Sequence, residues 1–535
     1  MSKRNFDYIL ENGTIYDGSG NKCYKSDIGI IGDTIIETGD LRGAECKERI
    51  NVNNFIVSPG FIDIHTHSDF TLIIDGHADS QLHQGVTTEV IGQCGHSVAP
   101  VRSKSEIPKR ALGFEGSDQF TGWKSFGEYL SLLEQNDLGI NVTAFVGHGT
   151  IHNAVMGDDL RLPDDSEIKE MVKLTEQSFE EGASGFSTGL EYWPGNQSSA
   201  EHILPLCEVT RKNNLLYSTH VRNRDRFYDL GFSEAISTAR AADCRLQISH
   251  LQTKYGAPDH AIKHAIEMID LGNKYGMDIA FDIIPHDWSH TLVMAILPKW
   301  AQEGGPEKII RRLKESDVRV KIKNNRYPMW LLVADGIWDK IRILNSKENF
   351  DVVGETIKDI AEMRNCDPFD AVFDLIIEEG INMHQLMWTS NSFRVKDLEE
   401  CIKHDKCAIM SDTLALSPEG KLKNKLGSLS GYGWTSEFLS YYTKRKNILP
   451  LSESIRRLTS LPAERLGIKD RGLIKKGFKA DLTVMDYEKV ESTWSIREPR
   501  KYPTGFEYVF VNGKPALSNG EKTKIFNGNV IRSPF

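Results

Sequence analysis

The sequence predicts an α/β protein: a (β/α)8 TIM-like barrel, a small β-sandwich domain formed by both chain termini, and a mostly helical insertion before the eighth strand. Three observations lead there. Through the centre of the chain, β runs alternate with amphipathic helices, which is the pattern of a parallel sheet. Eight such runs can be counted, the number that closes a barrel. Both ends instead carry short β runs closed by polar turns.

Taken in order, the chain opens with Tyr8-Ile9-Leu10, the Asn12-Gly13 turn, Thr14-Ile15-Tyr16, the turn Asp17-Gly18-Ser19-Gly20, and the runs at 28–31 and 33–36. Residues 480–486 and 507–513 have the same texture, so 1–57 and 466–535 are expected to share one β domain around a barrel spanning 58–465. The eight barrel strands are expected at 56–64, 88–91, 141–146, 185–187, 215–219, 245–249, 278–284 and 407–411. Between the third and fourth, Asp164 or Asp165 can cap a helix with Ile168, Val172, Thr175 and Phe179 on one face, stopped by Gly182. From about 290 to 395 the alternation lapses into a stretch with Trp330, Trp338 and a charged helix starting at Pro306, read as an insertion between strands seven and eight.

A chain of 535 residues exceeds what one core organises, while 39% hydrophobic and 26% charged residues describe an ordinary globular protein. The formal charge of −10 offers no cationic footprint for nucleic acid or an anionic membrane, which leaves a small molecule as the expected partner and a homo-oligomer open. The N-terminus has no apolar signal-like region and no run reaches the ~20 apolar residues of a span, so a cytoplasmic protein is expected. The eight cysteines are scattered, without zinc-finger pairing.

The strongest chemical signal is Pro59-Gly60-Phe61-Ile62-Asp63-Ile64-His65-Thr66-His67. Residues two apart on a strand face the same way, so His65 and His67 offer two imidazoles at one strand end. Alone, His-x-His is equally two incidental loop residues. Cys94, His220, His250 and Asp412 also close expected strands, however, and the C-terminal ends of barrel strands converge on one site. Soft Cys94 with His220 and His250 suits one tight zinc; His65, His67 and Asp412 would line a second, weaker position. Asp412 is then the general base and acid, taking a proton from water activated by the ion.

In this order the residues resemble the N-acyl-D-amino-acid deacylases, or D-aminoacylases, of the amidohydrolase superfamily. The likeness extends to Gln84-Gly-Val-Thr-Thr-Glu-Val-Ile-Gly-Gln-Cys-Gly95, Gly147-His-Gly-Thr150, Ser187-Thr-Gly-Leu-Glu-Tyr192 with Pro194-Gly195, Thr219-His-Val-Arg222, Leu458-Thr-Ser-Leu-Pro-Ala463 and Val511-Asn-Gly513. It implies amide hydrolysis at zinc held chiefly by Cys94, His220 and His250, with Asp412 as base. Three positions depart from the family. Gln252 stands where a lysine is usual, Asp282-Ile283-Ile284-Pro285-His286 lacks two tyrosines, and the His-Pro-Arg after the aspartate is replaced by a stretch through Trp434. These groups would grip an α-carboxylate. Arg224, Lys254 or His286 are the candidate replacements, and the family-like Arg222 with His148, Tyr192 and Gln252 the further substrate-contact candidates; Trp288 and Trp434 would shape an acyl pocket. The alternative is the same metal hydrolase acting on a cyclic amide, carbamate, ester or activated carbon–carbon bond. A non-catalytic scaffold would have no use for Asp412 beside an ion.

Overall fold

The computed structural model describes residues 5–104, 122–157, 159, 161–302, 304–325 and 330–533. Eight parallel strands make the barrel: Phe61–Asp63, Val86–Ile91, Asn141–Gly147, Gly185–Gly189, Leu216–His220, Arg245–Ile248, Ile279–Ile283 and Cys407–Ile409, each bonded to its neighbour in chain order. Strands such as Asn141–Gly147 are buried along their whole length, as expected of a parallel sheet covered on both faces. Ile62, Val90, Phe145, Leu216 and Met410 come from strands around the barrel and pack together inside it. Phe61, Ile91, Val142, Phe186 and Tyr217 belong to the larger core shared with the helices.

The first and eighth strands are not laddered. Their seam is closed beyond the strand ends, where Thr66 pairs with Thr413, the Asp412 N–H donates to the His65 carbonyl at 3.1 Å and the His67 N–H to the Thr413 carbonyl at 2.8 Å. Below them the Asp63 carboxylate accepts from the Ser411 N–H at 3.1 Å.

The run 56–64 expected as one strand is two. Ile56–Pro59 pairs with Leu482–Met485 in the terminal domain, and Phe61–Asp63 starts the barrel. At the join, a Cβ on Gly60 would lie 2.1 Å from the Thr87 hydroxyl oxygen, so only glycine lets the two chains pass this closely.

Both termini build one sheet, in the order Glu521–Lys522, Lys514–Ser518, Phe506–Val511, Leu482–Met485, Ile56–Pro59, Asn5–Ile15, Tyr24–Ile31, Thr34–Gly39, with Glu45–Asn51 also on Asn5–Ile15. It bends on itself until the Ala480 N–H donates to the Asp33 carbonyl at 2.7 Å, enclosing Leu10, Ile28, Val57, Leu482 and Phe510.

Helix Asp165–Glu180 is capped by Asp164, which accepts from the Ser166 and Glu167 N–H groups in a capping box worth about 1 kcal/mol. The insertion has its own core, including Val293, Ile309, Trp330, Ile343, Phe373 and Trp388. Beside its helices it holds a feature the sequence did not announce: an antiparallel sheet with Met387–Asn391 between Trp288–Leu292 and Ile341–Asn345. These short strands lie far apart in the chain, and their pairing leaves no local periodicity to read.

Candidate metal centre

Six side chains from five strand ends meet at one point. Cys94 Sγ lies 3.2 Å from His65 Nε2, 3.7 Å from His220 Nδ1 and 3.5 Å from His250 Nε2. Asp412 Oδ1 lies 3.1 Å from His67 Nε2 and 3.4 Å from His65 Nε2. The donor atoms fall into two groups, Cys94 with His220 and His250, and Cys94 with His65, His67 and Asp412; within each, all lie within 4.8 Å of one another. The thiolate belongs to both.

The local backbone is bent to aim these groups. Cys94, His250 and Asp412 all have left-handed φ angles, 53°, 33° and 51°, a conformation that costs a non-glycine residue about 1–2 kcal/mol. Neighbouring bonds hold the turns. The His250 N–H donates to Asp282 Oδ1 at 2.7 Å, the Tyr192 hydroxyl to the Cys94 carbonyl at 2.8 Å, and the Gly95 N–H to Ser187 Oγ at 3.0 Å.

The donor set fits a thiophilic divalent cation. A tetrahedral ion with bonds of ~2.3 Å to sulfur and ~2.0 Å to nitrogen separates them by about 3.5 Å, close to the Cys94 spacings above. Charge points the same way. Burial would raise the Cys94 thiol, but His65, His250 and His220 hold it well below its ordinary range. Burial would likewise raise Asp412, but His67, His65 and His250 hold it below the usual carboxylate range. Burial would lower His67, yet Asp412 and Cys94 push it up to about 10.

A cavity of about 1060 Å³ opens over this point. Its wall includes His67, Cys94, His220, His250 and Asp412, and most of the remainder is apolar, with Leu292, Met294, Ile296, Leu297 and Pro298 from the insertion. Arg224 also lines it, 5% exposed, with Nη1 donating to the His250 carbonyl at 2.9 Å and Nε without a hydrogen-bond partner.

The other expected substrate contacts divide. Tyr192 lines the cavity, but its hydroxyl proton is committed to the Cys94 carbonyl, which removes it from oxyanion duty in this arrangement. Arg222 does not line the cavity: its guanidinium is engaged by the Glu234 carboxylate and by the carbonyls of Gly195, Asn196 and Ser198, clamping a loop of which Asn196 does line it. His148 is also outside, buried at the start of helix His148–Met156. Gln252 donates to the Ile284 carbonyl at 2.7 Å and His286 packs edge-on against Trp494; neither lines the cavity. Trp434 is in the core, donating to Gln81 at 3.1 Å, and Trp288 packs with Leu344 and Leu426 without itself lining the cavity.

Sequence reasoning missed two groups. Glu191 accepts from His220 Nε2 at 2.8 Å; it sits in the Gly-Leu-Glu-Tyr stretch just past the fourth strand, and that position was the available signal. His290, on the insertion's first strand, lines the cavity beside Asp412, and no local pattern foretells its arrival there.

Residues 48–201 and 421–516 match the model of the amidohydrolase family. The D-aminoacylase of Alcaligenes xylosoxydans xylosoxydans is 27% identical over 98% of this chain and 97% of its own. The N-acyl-D-glutamate deacylase of the same organism is 28% identical over 95% and 93%. A D-aminoacylase structure described with a binuclear metal centre superposes with a TM-score of 0.81 at 25% identity, covering 99% of this chain and all of that one. In sequence and fold alike, end to end, and in a cysteine-centred cluster of metal-capable donors at the barrel mouth, this chain is similar to the N-acyl-D-amino-acid deacylases of the amidohydrolase superfamily.

Proposed function

We propose that the protein is a zinc-dependent deacylase that hydrolyses the amide bond of an N-acyl amino acid. The observation that carries this is the meeting of Cys94, His220 and His250 with Asp412 at the floor of a largely apolar cavity that also holds the Arg224 guanidinium. Cys94, His220 and His250 would hold one zinc tightly, a thiolate with two imidazoles being a donor set zinc favours. His65, His67 and Asp412, sharing Cys94, would make a second, weaker position. In the D-aminoacylase of known structure, one metal is described as activating and a second as attenuating. When bound, zinc supplies polarisation of the scissile carbonyl and acidification of water at neutral pH.

The chain's own residues do the rest. Asp412, kept ionised by its bond to His67, takes a proton from the attacking water at its carboxylate and returns it to the amine nitrogen as the C–N bond breaks. Arg224, on the cavity wall, offers its guanidinium charge to an anionic group of the substrate. The apolar wall contributed by residues 292–298 excludes water around the acyl group.

The departures at Gln252 and His286 favour a second reading, the same hydrolase on a substrate without an α-carboxylate, because both side chains point elsewhere. A hydrolysis panel separates the two. Zinc-loaded enzyme is given N-acetyl-D- and N-acetyl-L-amino acids beside amides, lactams and esters lacking the carboxylate, with Asp412→Asn as the blank. Turnover of the D-conjugates is expected; turnover only of carboxylate-free compounds would overturn the deacylase reading and keep the metal chemistry.

A further inference from the structure

One buried carboxylate at the site takes no part in the proposed reaction. Glu191 lies two residues beyond the fourth barrel strand, with a side chain 6% exposed. Its two oxygens have separate partners. Oε2 accepts from His220 Nε2 at 2.8 Å, and Oε1 accepts from the Lys254 ammonium. Arg224 Nη2 stands 4.0 Å from Oε2 and reaches through Nη1 to the His250 carbonyl. Lys254 in turn lies 4.4 Å from the ring centre of Trp330, an insertion residue on the cavity wall.

We infer that Glu191 is a positioning residue that couples the metal centre to the substrate-anion end of the cavity, fixing His220 for the metal with one oxygen while its charge holds Arg224 at the wall. The inference rests on the metal reading above. A neutral imidazole carries one N–H. A carboxylate bonded to Nε2 keeps the proton there and leaves the Nδ1 lone pair facing Cys94, the only orientation in which His220 serves as a ligand. The negative charge also makes that nitrogen a better donor to a cation. A carboxylate buried this deeply needs compensation, and Lys254 and Arg224 provide it. The same balance works in reverse: Arg224, a guanidinium in a mostly apolar wall, keeps its place because Glu191 is ionised. A purely structural ion pair would be complete with Lys254 alone and would leave Oε2 free of His220.

The test is zinc affinity, measured by competition with a chromophoric chelator on refilled apo-protein, with KM as a second readout. Wild type is compared with Glu191→Gln, with Glu191→Gln/Lys254→Met, which removes one of the cations left unbalanced, and with His220→Ala. Both Glu191 variants are expected to bind zinc roughly 10- to 100-fold more weakly. In both, KM should rise more for an N-acetyl amino acid than for the matching amide without a carboxylate. Zinc affinity within twofold of wild type in both Glu191 variants, with His220→Ala defective, would overturn the inference, whatever happens to the melting temperature. Unchanged affinity in His220→Ala as well would overturn the metal assignment, and the inference with it.

Discussion

Asp412 and His65 are joined twice: the backbone N–H of Asp412 donates to the His65 carbonyl at 3.1 Å, and Oδ1 of Asp412 lies 3.4 Å from Nε2 of His65. The first contact closes the seam between the last barrel strand and the first; the second brings the expected base against the metal donors. Sealing the fold and assembling the site are therefore one event at this pair.

Replacing the carboxylate without disturbing that backbone bond isolates the chemistry. Asp412→Asn should retain fold and tight zinc, since Cys94, His220 and His250 are untouched, while kcat falls by roughly 10²- to 10⁴-fold. Loss of zinc from the tight site in this variant would mean that Asp412 is chiefly a ligand.

Cys94 lies in both donor groups, so Cys94→Ala should abolish high-affinity metal binding, and removing the metal from wild type with a chelator should abolish hydrolysis reversibly. Metal content after dialysis and activity on re-addition of zinc are the measurements. Retention of one equivalent of metal by Cys94→Ala would contradict the shared-thiolate arrangement.

The neighbouring arginines should separate cleanly. Arg224→Met is expected to lower kcat/KM for carboxylate-bearing substrates by about 2–3 kcal/mol, roughly 30- to 150-fold, mostly through KM. Arg222→Met removes the clamp on the 195–198 loop and should lower the melting temperature with little preference between substrates. Equal effects of Arg224→Met on substrates with and without a carboxylate would show that it does not read the anion.

Two histidines outside the cavity predict an acid-sensitive fold. Burial, and then the neighbouring His152, pushes His148 down to about 3; burial, and then His290, does the same to His286. Unfolded, each titrates near 6.5, so below that pH the unfolded chain binds a proton that the folded chain refuses. Their contribution is intact above pH ~6.5 and is lost as pH falls towards 3, at up to about 1.4 kcal/mol per pH unit for each histidine. Urea unfolding at pH 7 and pH 5.5 should therefore show a smaller drop in His286→Phe than in wild type. An equal drop would mean that His286 accepts its proton in the folded state.

Much of this was legible in the sequence because it is local. Strand-length apolar runs, the Asp164 cap and Gly182 stop, and metal-capable residues at the ends of those runs all depend on neighbours in the chain. Gly60 was present in the sequence, but not the break it makes: the expected strand 56–64 divides there because of Thr87, which approaches only when the barrel closes. Arg222 and Arg224 are two residues apart and alike in type, yet only the second lines the cavity while the first clamps the 195–198 loop from behind, a difference set by Glu234 and Glu191.

By itself, then, the sequence determined which segments become strands and helices, that two termini share one β domain, and which side chains are chemically fit to hold a metal. Periodicity, capping and donor chemistry are properties of short stretches. Only the tertiary structure decided that Glu191 meets His220, that His290 arrives at Asp412 from the insertion, and that Gln252 and His286 turn away from the cavity. Those outcomes follow from closing a barrel, which brings distant loops together at distances that no local pattern encodes.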